Sequence, residues 1–75
     1  MSSDLSAVAV VWIRRFAEAL GQPAPTDGDI ETLLNLAGVA AHSSHRQAAP
    51  VACWLAAQAG LSPAEALATA QDLVV

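Results

Sequence analysis

The stretch Gly60-Leu61-Ser62-Pro63-Ala64-Glu65 carries the clearest structural signal in the chain, because it ends one helix and begins another. Glycine commonly follows the last turn of a helix, so Gly60 predicts a helix end. Ser62, Pro63 and Glu65 fit the N-cap, first and third positions of the next helix. This order forms a capping box and places proline where a helix tolerates it. The sequence therefore predicts helices joined by short loops.

The segments before this turn predict further helices. Proline is tolerated in the first helical turn, so Pro50 predicts that the third helix begins near it, after a break within residues 43–49. The second helix is predicted to begin at Thr26 or Asp27, with Asp29 placed for a capping-box-like contact, and to end around residues 42–44.

The first helix is predicted from about Ser3 to Leu20. Its apolar residues recur at spacings of three and four, which is the helical period, and Gly21 follows the last of them. Two prolines make Gln22-Pro23-Ala24-Pro25 a stiff connector. No stretch of useful length alternates as a strand would. We therefore predict one all-α domain over residues 1–75, a compact four-helix arrangement with short loops.

The predicted core combines many alanines with a few large apolar residues. Alanine lets helices approach closely, and the two tryptophans and the phenylalanine would then fill the centre. The residues predicted to be largely buried are Trp12, Phe16, Leu33, Leu34, Trp54, Leu55 and Leu67.

Charge and composition argue against several functions. The chain has 75 residues, three arginines, no lysine and seven acidic residues, with a formal charge of −4. Nucleic acids and anionic membranes require clusters of cations, so neither partner is expected. No apolar run approaches the roughly 20 residues of a membrane span. The N-terminal residues lack the basic region of a signal peptide, and the single Cys53 forms no intrachain disulfide, so we expect a cytoplasmic protein.

The sequence contains no recognisable catalytic constellation. It lacks a nucleophile elbow, a phosphate loop, a dinucleotide fingerprint and a paired-carboxylate pocket. Tyrosine and lysine are absent as acid–base groups, and a drug-sized pocket would consume most of so small a core. We therefore expect neither an enzyme nor a resident cofactor.

The second helix carries a polar stripe that is a candidate binding surface. Glu31, Asn35, Gly38 and His42 are spaced by four, three and four residues, so they share one face. Most such stripes are simply solvated. Gly38, however, lowers helix stability by about 1 kcal/mol, and such a glycine suggests the close approach of another backbone or a ligand.

The segment between the second and third helices is a candidate anion site. Ser43, Ser44, His45 and Arg46 precede a helix start, where free backbone N–H groups attract anions and arginine would assist. The alternative is a solvent-exposed loop whose serines satisfy the helix ends.

His42, His45 and Cys53 could in principle hold a metal ion, but we favour a reading without one. A break before Pro50 separates the histidines from the cysteine, and structural zinc normally has four converging ligands. Cys53 is better explained as a small apolar residue that faces a neighbouring helix or a partner.

A second candidate surface consists of apolar residues outside the predicted core stripes. Val10 and Val11 lie off the Trp12 and Phe16 stripe, and Leu73 is similarly placed on the fourth helix. If the bundle does not bury them, they form an exposed patch for a partner or for self-association.

Several segments resemble a small actinobacterial helical domain family of uncharacterised function. The specific part is Ala41-His42 followed by Arg46-Gln47-Ala48-Ala49-Pro50. The same pattern also includes Trp12, Leu20-Gly21, Leu34-Asn35-Leu36-Ala37, Leu55-Ala56 and Ala59-Gly60. Members of that family occur alone or attached to MobA-type molybdenum-cofactor guanylyltransferases, and near formate-dehydrogenase accessory genes. The resemblance implies a link to molybdoenzymes, without an established activity, and points to His42, Arg46 and Pro50.

These observations predict a non-catalytic accessory or interaction domain, associated with a molybdoenzyme such as formate dehydrogenase or with molybdenum-cofactor delivery. Its partner would be a larger enzyme subunit, or a second copy in a homo-oligomer. The contact is expected on the outer face of the second helix and on the turn from His42 to Pro50. The alternative is a small anion- or cofactor-binding module that uses residues 43–50.

Overall fold

Four helices joined by short loops make up the structure, a computed structural model that describes residues 5–73. Helix α1 spans Ala7–Leu20, α2 spans Asp27–Ser43, α3 spans Ala48–Gln58 and α4 spans Pro63–Leu73. Within residues 5–73 there is no strand. The predicted all-α, four-helix fold is confirmed.

The helix starts follow local capping chemistry. Thr26 caps α2, with its side chain accepting from the Asp29 N–H at 3.0 Å while the Asp29 carboxylate accepts from the Thr26 N–H at 3.4 Å. Ser62 and Glu65 form the same reciprocal pair before α4, at 3.2 and 2.9 Å. Both capping boxes were predicted. The N-cap of α1 is Ser6, whereas the start predicted near Ser3 lies outside the described residues.

Two of the helices end at glycines that adopt a left-handed backbone. Gly21 has φ 70° and Gly60 has φ 75°. In each case the N–H of the following residue reaches back to a carbonyl of the last turn, Gln22 to Ala17 at 2.9 Å and Leu61 to Ala56 at 3.2 Å. This pattern satisfies carbonyls that the helix leaves free. Helix α3 begins two residues before Pro50, so the proline lies within its first turn.

Helix α2 is the centre of the packing. It has extensive contacts with both α3 and α4, whereas α1 has no comparably extensive contact with any other helix. The core is correspondingly small. Among the described residues the buried apolar side chains are Ala17, Ile30, Leu36 and Ala66.

The prediction of a core filled by large aromatic residues is wrong. Trp12 and Trp54 are each 61% exposed, and Phe16 is 50% exposed. Leu34 and Leu55, at 57% and 56%, are exposed as well. Two further residues of the predicted core, Leu33 and Leu67, are half-buried. Leu36, which was not predicted to be buried, is the most deeply buried of all, at 3% exposure.

The physical reason is that α1 and α3 each have two apolar faces, and the face with smaller side chains packs inward. On α3 the half-buried residues are Ala48, Ala49, Ala52, Cys53 and Ala56, while Val51, Trp54 and Leu55 point to solvent. On α1 the covered face consists of Val10, Ile13 and Ala17. The small side chains of α3 allow its axis to approach α2, so its large side chains are left on the outer surface.

No helix within residues 5–73 combines the length and the apolar character needed to cross a bilayer.

Candidate functional site

A groove open to solvent runs between α2 and α4 and encloses about 870 Å³. Its walls combine leucine and valine side chains with a few polar groups and one glycine. The lining residues are Leu34, Asn35, Gly38, Val39, His42, Ser43, Leu67, Gln71 and Leu73. The groove therefore combines apolar and polar side chains along the C-terminal half of α2.

Most of the predicted polar stripe lies in this groove. Asn35, Gly38 and His42 all line it, as their spacing along α2 predicts. Glu31, one turn earlier on the same helix face, is half-buried and is not among the lining residues. The stripe is thus the wall of a shared α2–α4 groove and not an isolated solvated face.

Gly38 leaves open space in the wall of the groove. A Cβ atom placed on it would meet nothing within 4 Å, apart from the backbone of its own helix. Within residues 5–73, the close approach of another backbone that the sequence suggested is therefore absent. The packing of these residues does not require a glycine at this position.

The second predicted patch is divided by the structure. Leu73 is 76% exposed and lines the α2–α4 groove, so it joins the first candidate site. Val11 is 56% exposed on α1, and Val10 is half-buried on the inward face of that helix. Leu73 therefore belongs to the groove, whereas Val10 and Val11 lie on α1 and do not line it.

The turn before α3 uses its own backbone donors internally. The Gln47 N–H donates to Nδ1 of His45 at 3.1 Å, and the Ala48 N–H donates to the His45 carbonyl at 2.8 Å. The Ala49 N–H donates to the Arg46 carbonyl at 3.1 Å, and Pro50 has no N–H.

An anion at this turn would therefore depend on side chains and not on the helix start. His45 and Arg46 are exposed and available for that role. The Ser44 hydroxyl donates to the Ala40 carbonyl at 2.8 Å, as the capping alternative for this segment predicts. The geometry favours a capped, exposed turn beside the groove, which it meets at Ser43.

Cys53 faces α2, as its position opposite Val51 and Leu55 indicates. Its Sγ lies 4.0 Å from the Leu33 carbonyl oxygen, and burial raises the pKa of the thiol. The thiol is consequently protonated at neutral pH and poorly nucleophilic. In the part of the chain that the structure describes, no three histidine, cysteine or acidic side chains converge as metal ligands would.

The outer face of α1 is an exposed aromatic surface that the sequence prediction assigned to the core. The Trp12 and Phe16 rings stack with centroids 5.0 Å apart at an interplanar angle of 22°. Arg15 borders a shallow hollow beside the two rings. The sequence does contain a signal for this exposure, because α1 has a second apolar face formed by Val10, Ile13 and Ala17. When that face packs within the chain, the aromatic face is left in solvent.

Comparison with known families gives one match. The profile of a family described as "Domain of unknown function (DUF6457)" matches residues 5–75, and the chain belongs to that family. No match is found among curated proteins or among solved structures.

Proposed function

We propose that this DUF6457 domain is a non-catalytic interaction domain, which acts as an accessory domain or small subunit bound to a larger protein. One observation carries the proposal. Among residues 5–73, eleven large apolar side chains are 38–81% exposed, whereas the buried apolar residues number four, two of them alanines. Soluble proteins rarely expose large contiguous apolar patches unless another molecule covers them, and on α1 the exposed Trp12 and Phe16 rings are in contact.

The kinds of side chain that are exposed support a protein partner. Tryptophan and arginine are enriched among the residues that dominate binding at protein interfaces. Here both tryptophans of the chain, Trp12 and Trp54, point outward, and all three arginines are exposed as well. The open shape of the α2–α4 groove also suits a protein segment better than a small molecule, which a site normally encloses on most sides.

The contact is proposed to include the outer face of α2 and the adjoining turn. Asn35, Gly38 and His42 supply the wall of the groove. Ser44, His45 and Arg46 lie in the exposed turn that follows α2, where Arg46 can pair with a carboxylate of the partner. Together they form a surface with an apolar centre and a polar rim, the usual arrangement of protein interfaces.

The proposed partner is a molybdoenzyme such as formate dehydrogenase, or a protein that delivers its molybdenum cofactor. This part of the proposal rests on the resemblance of residues 41–50 to domains found with molybdenum-cofactor guanylyltransferases. It requires no catalytic residue and no resident cofactor in this chain. The protein would act in the cytoplasm, which is consistent with a single cysteine that forms no intrachain disulfide.

The test is complex formation between the purified chain and each of two purified proteins from the same organism, the guanylyltransferase and formate dehydrogenase. We expect a stoichiometric complex with one of them. Arg46→Ala and His42→Ala should each weaken it by about tenfold or more, as loss of an interface anchor does. Arg14→Ala, which removes an exposed arginine far from the turn in sequence, is the matched control.

Two outcomes would count against the proposal. If neither protein forms a complex, the association with molybdoenzymes is wrong. If a complex forms but Arg46→Ala and His42→Ala bind like the wild type, the contact lies elsewhere. The exposed apolar surface that includes Val11 then becomes the better candidate.

A further inference from the structure

We propose that the α2–α4 groove of one copy binds the outer face of α1 from a second copy, so that two chains form a reciprocal dimer. The inference rests on the proposed function in one respect, namely that the groove is a protein contact, and it names the occupant of the groove in the chain without its larger partner. The larger partner and the second copy then compete for the groove, and the turn at residues 44–47 is left for the larger partner alone.

The two surfaces have matching lengths. On the outer face of α1, Trp12, Phe16 and Leu20 follow one another at intervals of four residues. In the wall of the groove, Leu34, Gly38 and His42 have the same spacing. At a rise of 1.5 Å per residue each row is about 12 Å long. A helix lying along the groove can therefore place its whole apolar row against the whole wall.

The shapes of the two surfaces are complementary as well. The aromatic stack of Trp12 and Phe16 projects from α1, with 61% and 50% of the side chains uncovered. The groove has its open space at Gly38, where a Cβ would meet nothing within 4 Å. A missing side chain in the middle of a wall allows the close approach of a bulky ring from outside, as small residues do between packed helices.

The net charge of α1 is opposite in sign to that of the rest of the described chain, although no acidic residue lines the groove itself. Helix α1 carries Arg14, Arg15 and Glu18, a net charge of +1 from two cations and one acid. Residues 21–73 carry five acids and one arginine, a net charge of −4. Arg15 lies beside the aromatic stack, and Glu31 continues the groove face of α2 by one turn. Docking α1 on this acidic body is attractive, whereas pairing two α1 helices face to face brings four arginines together.

The area available matches that of a stable dimer. Four large residues on the outer side of α1 (Val8, Trp12, Phe16 and Leu20) and two in the groove (Leu34 and Leu73) are 50–81% exposed. At about 150–200 Å² for a large side chain they leave roughly 600 Å² uncovered per copy. With the polar residues of the groove added, this approaches the roughly 800 Å² per partner of a standard interface.

A two-fold arrangement uses each surface once and leaves neither exposed. Each copy contributes its α1 to the groove of the other, and the assembly closes at two chains because the proposal relates the two contacts by a two-fold axis. Helix α1 is covered within its own chain on the face formed by Val10, Ile13 and Ala17. Its aromatic face therefore remains free to contact the second copy.

The first experiment compares the mass of the full chain and of three variants by sedimentation, from low to high micromolar concentration. Gly38→Leu fills the groove, and the double variant Trp12→Ala/Phe16→Ala removes the inserted rings. Each should weaken dimerisation by about tenfold or more. Ala68→Leu, at an exposed position of α4 outside the groove, is the matched control and should dimerise like the wild type. Circular dichroism checks that every variant remains helical.

The second experiment mixes the two defective variants. The Gly38→Leu chain keeps an intact α1, and the Trp12→Ala/Phe16→Ala chain keeps an open groove. The mixture should therefore form a 1:1 complex through one remaining contact, although neither variant dimerises alone. If the double variant fails to fold, the comparison of dimerisation between Gly38→Leu and Ala68→Leu still tests whether the groove is the contact.

The results separate this inference from the proposed function. A wild-type chain that stays monomeric at all concentrations overturns the reciprocal dimer, as does a dimer that Gly38→Leu leaves unchanged. A dimer whose defective variants fail to complement each other also overturns the α1-to-groove pairing. None of these outcomes decides whether the larger protein binds, because that contact is measured separately with Arg46→Ala, in the turn outside the groove.

Discussion

Helices α2 and α1 differ in the exposure of their largest apolar side chains. Helix α2 buries Ile30 and Leu36, which are 6% and 3% exposed, against its neighbours α3 and α4. Helix α1 buries Ala17, at 7%, and leaves Trp12 and Phe16 mostly in solvent. The hydrophobicity of the residues does not explain the difference, because the aromatic residues of α1 bring more apolar area than any leucine.

The difference reflects the position of each helix. Because α2 lies between two other helices, a large part of its circumference is covered. Helix α1 has no extensive helix partner, so one narrow face is covered and the other is free. A free apolar face on a small domain is evidence for an external partner, and the contrast between the two helices is therefore the structural basis of both proposals.

The largest effect is expected from two leucines on α2. Leu36→Ala should destabilise the chain by about 2–5 kcal/mol, since it leaves a cavity in the small core. Leu34→Ala, at a position 57% exposed, should cost about 1 kcal/mol or less in the monomer. Urea unfolding at low protein concentration measures both. Equal losses at the two positions would mean that the faces of α2 are assigned incorrectly.

Removal of an N-cap should lower the free energy of unfolding more at α4 than at α1. Ser62→Ala should lower the free energy of unfolding by about 1 kcal/mol, because α4 packs on α2 and its start depends on the Ser62 cap. Ser6→Ala removes the corresponding cap of α1. It should fray that helix locally with a smaller change in global unfolding, because α1 is less coupled to the core. Superimposable melts of Ser62→Ala and the wild type would show that Ser62 is not the cap.

A stabilising substitution is expected in the wall of the groove. Gly38→Ala should raise the free energy of unfolding of the monomer by about 0.5–1 kcal/mol, because the helix gains propensity and the new Cβ meets nothing within 4 Å. Thermal melts at low concentration measure the gain. A loss of stability would show that another part of the chain occupies the space at Gly38.

A local effect of pH is expected at the α4 cap. The Ser62 backbone N–H and side chain lower the pKa of Glu65 below its usual value. Its contribution to stability is therefore present above the pKa of an unfolded glutamate and is lost as the pH falls through the folded pKa. An NMR titration should give Glu65 a lower pKa in the folded chain than in urea, and Ser62→Ala should raise it. Equal values in folded and unfolded chains would contradict the capping box.

The parts of the fold that depend on local chemistry could be predicted from the sequence. Thr26 and Ser62 were identified as helix starts because a cap needs a particular side chain and a nearby N–H, both of which lie within four residues. The groove residues Asn35, Gly38 and His42 could be placed on one face because the helical period fixes their relative directions.

The buried faces could not be predicted, because they depend on which helices meet. On α1 the rows Val10–Ile13–Ala17 and Trp12–Phe16–Leu20 are both apolar, and the period alone does not say which row packs within the chain. The prediction chose the larger residues, in keeping with their greater gain on burial. The structure instead covers the row of Val10, Ile13 and Ala17 and leaves the larger aromatic residues of α1 exposed.

The most direct test of this account is the fluorescence of the two tryptophans as a function of protein concentration. In the dilute monomer, verified by sedimentation, both tryptophans should emit like solvent-exposed indoles and be readily quenched by acrylamide, since each is 61% exposed. In the Trp54→Phe variant, which reports Trp12 alone, emission should shift to the blue and quenching should fall as the chain dimerises. A blue-shifted emission that is protected from acrylamide in the dilute monomer would show that the aromatic residues form the core, and would contradict the account.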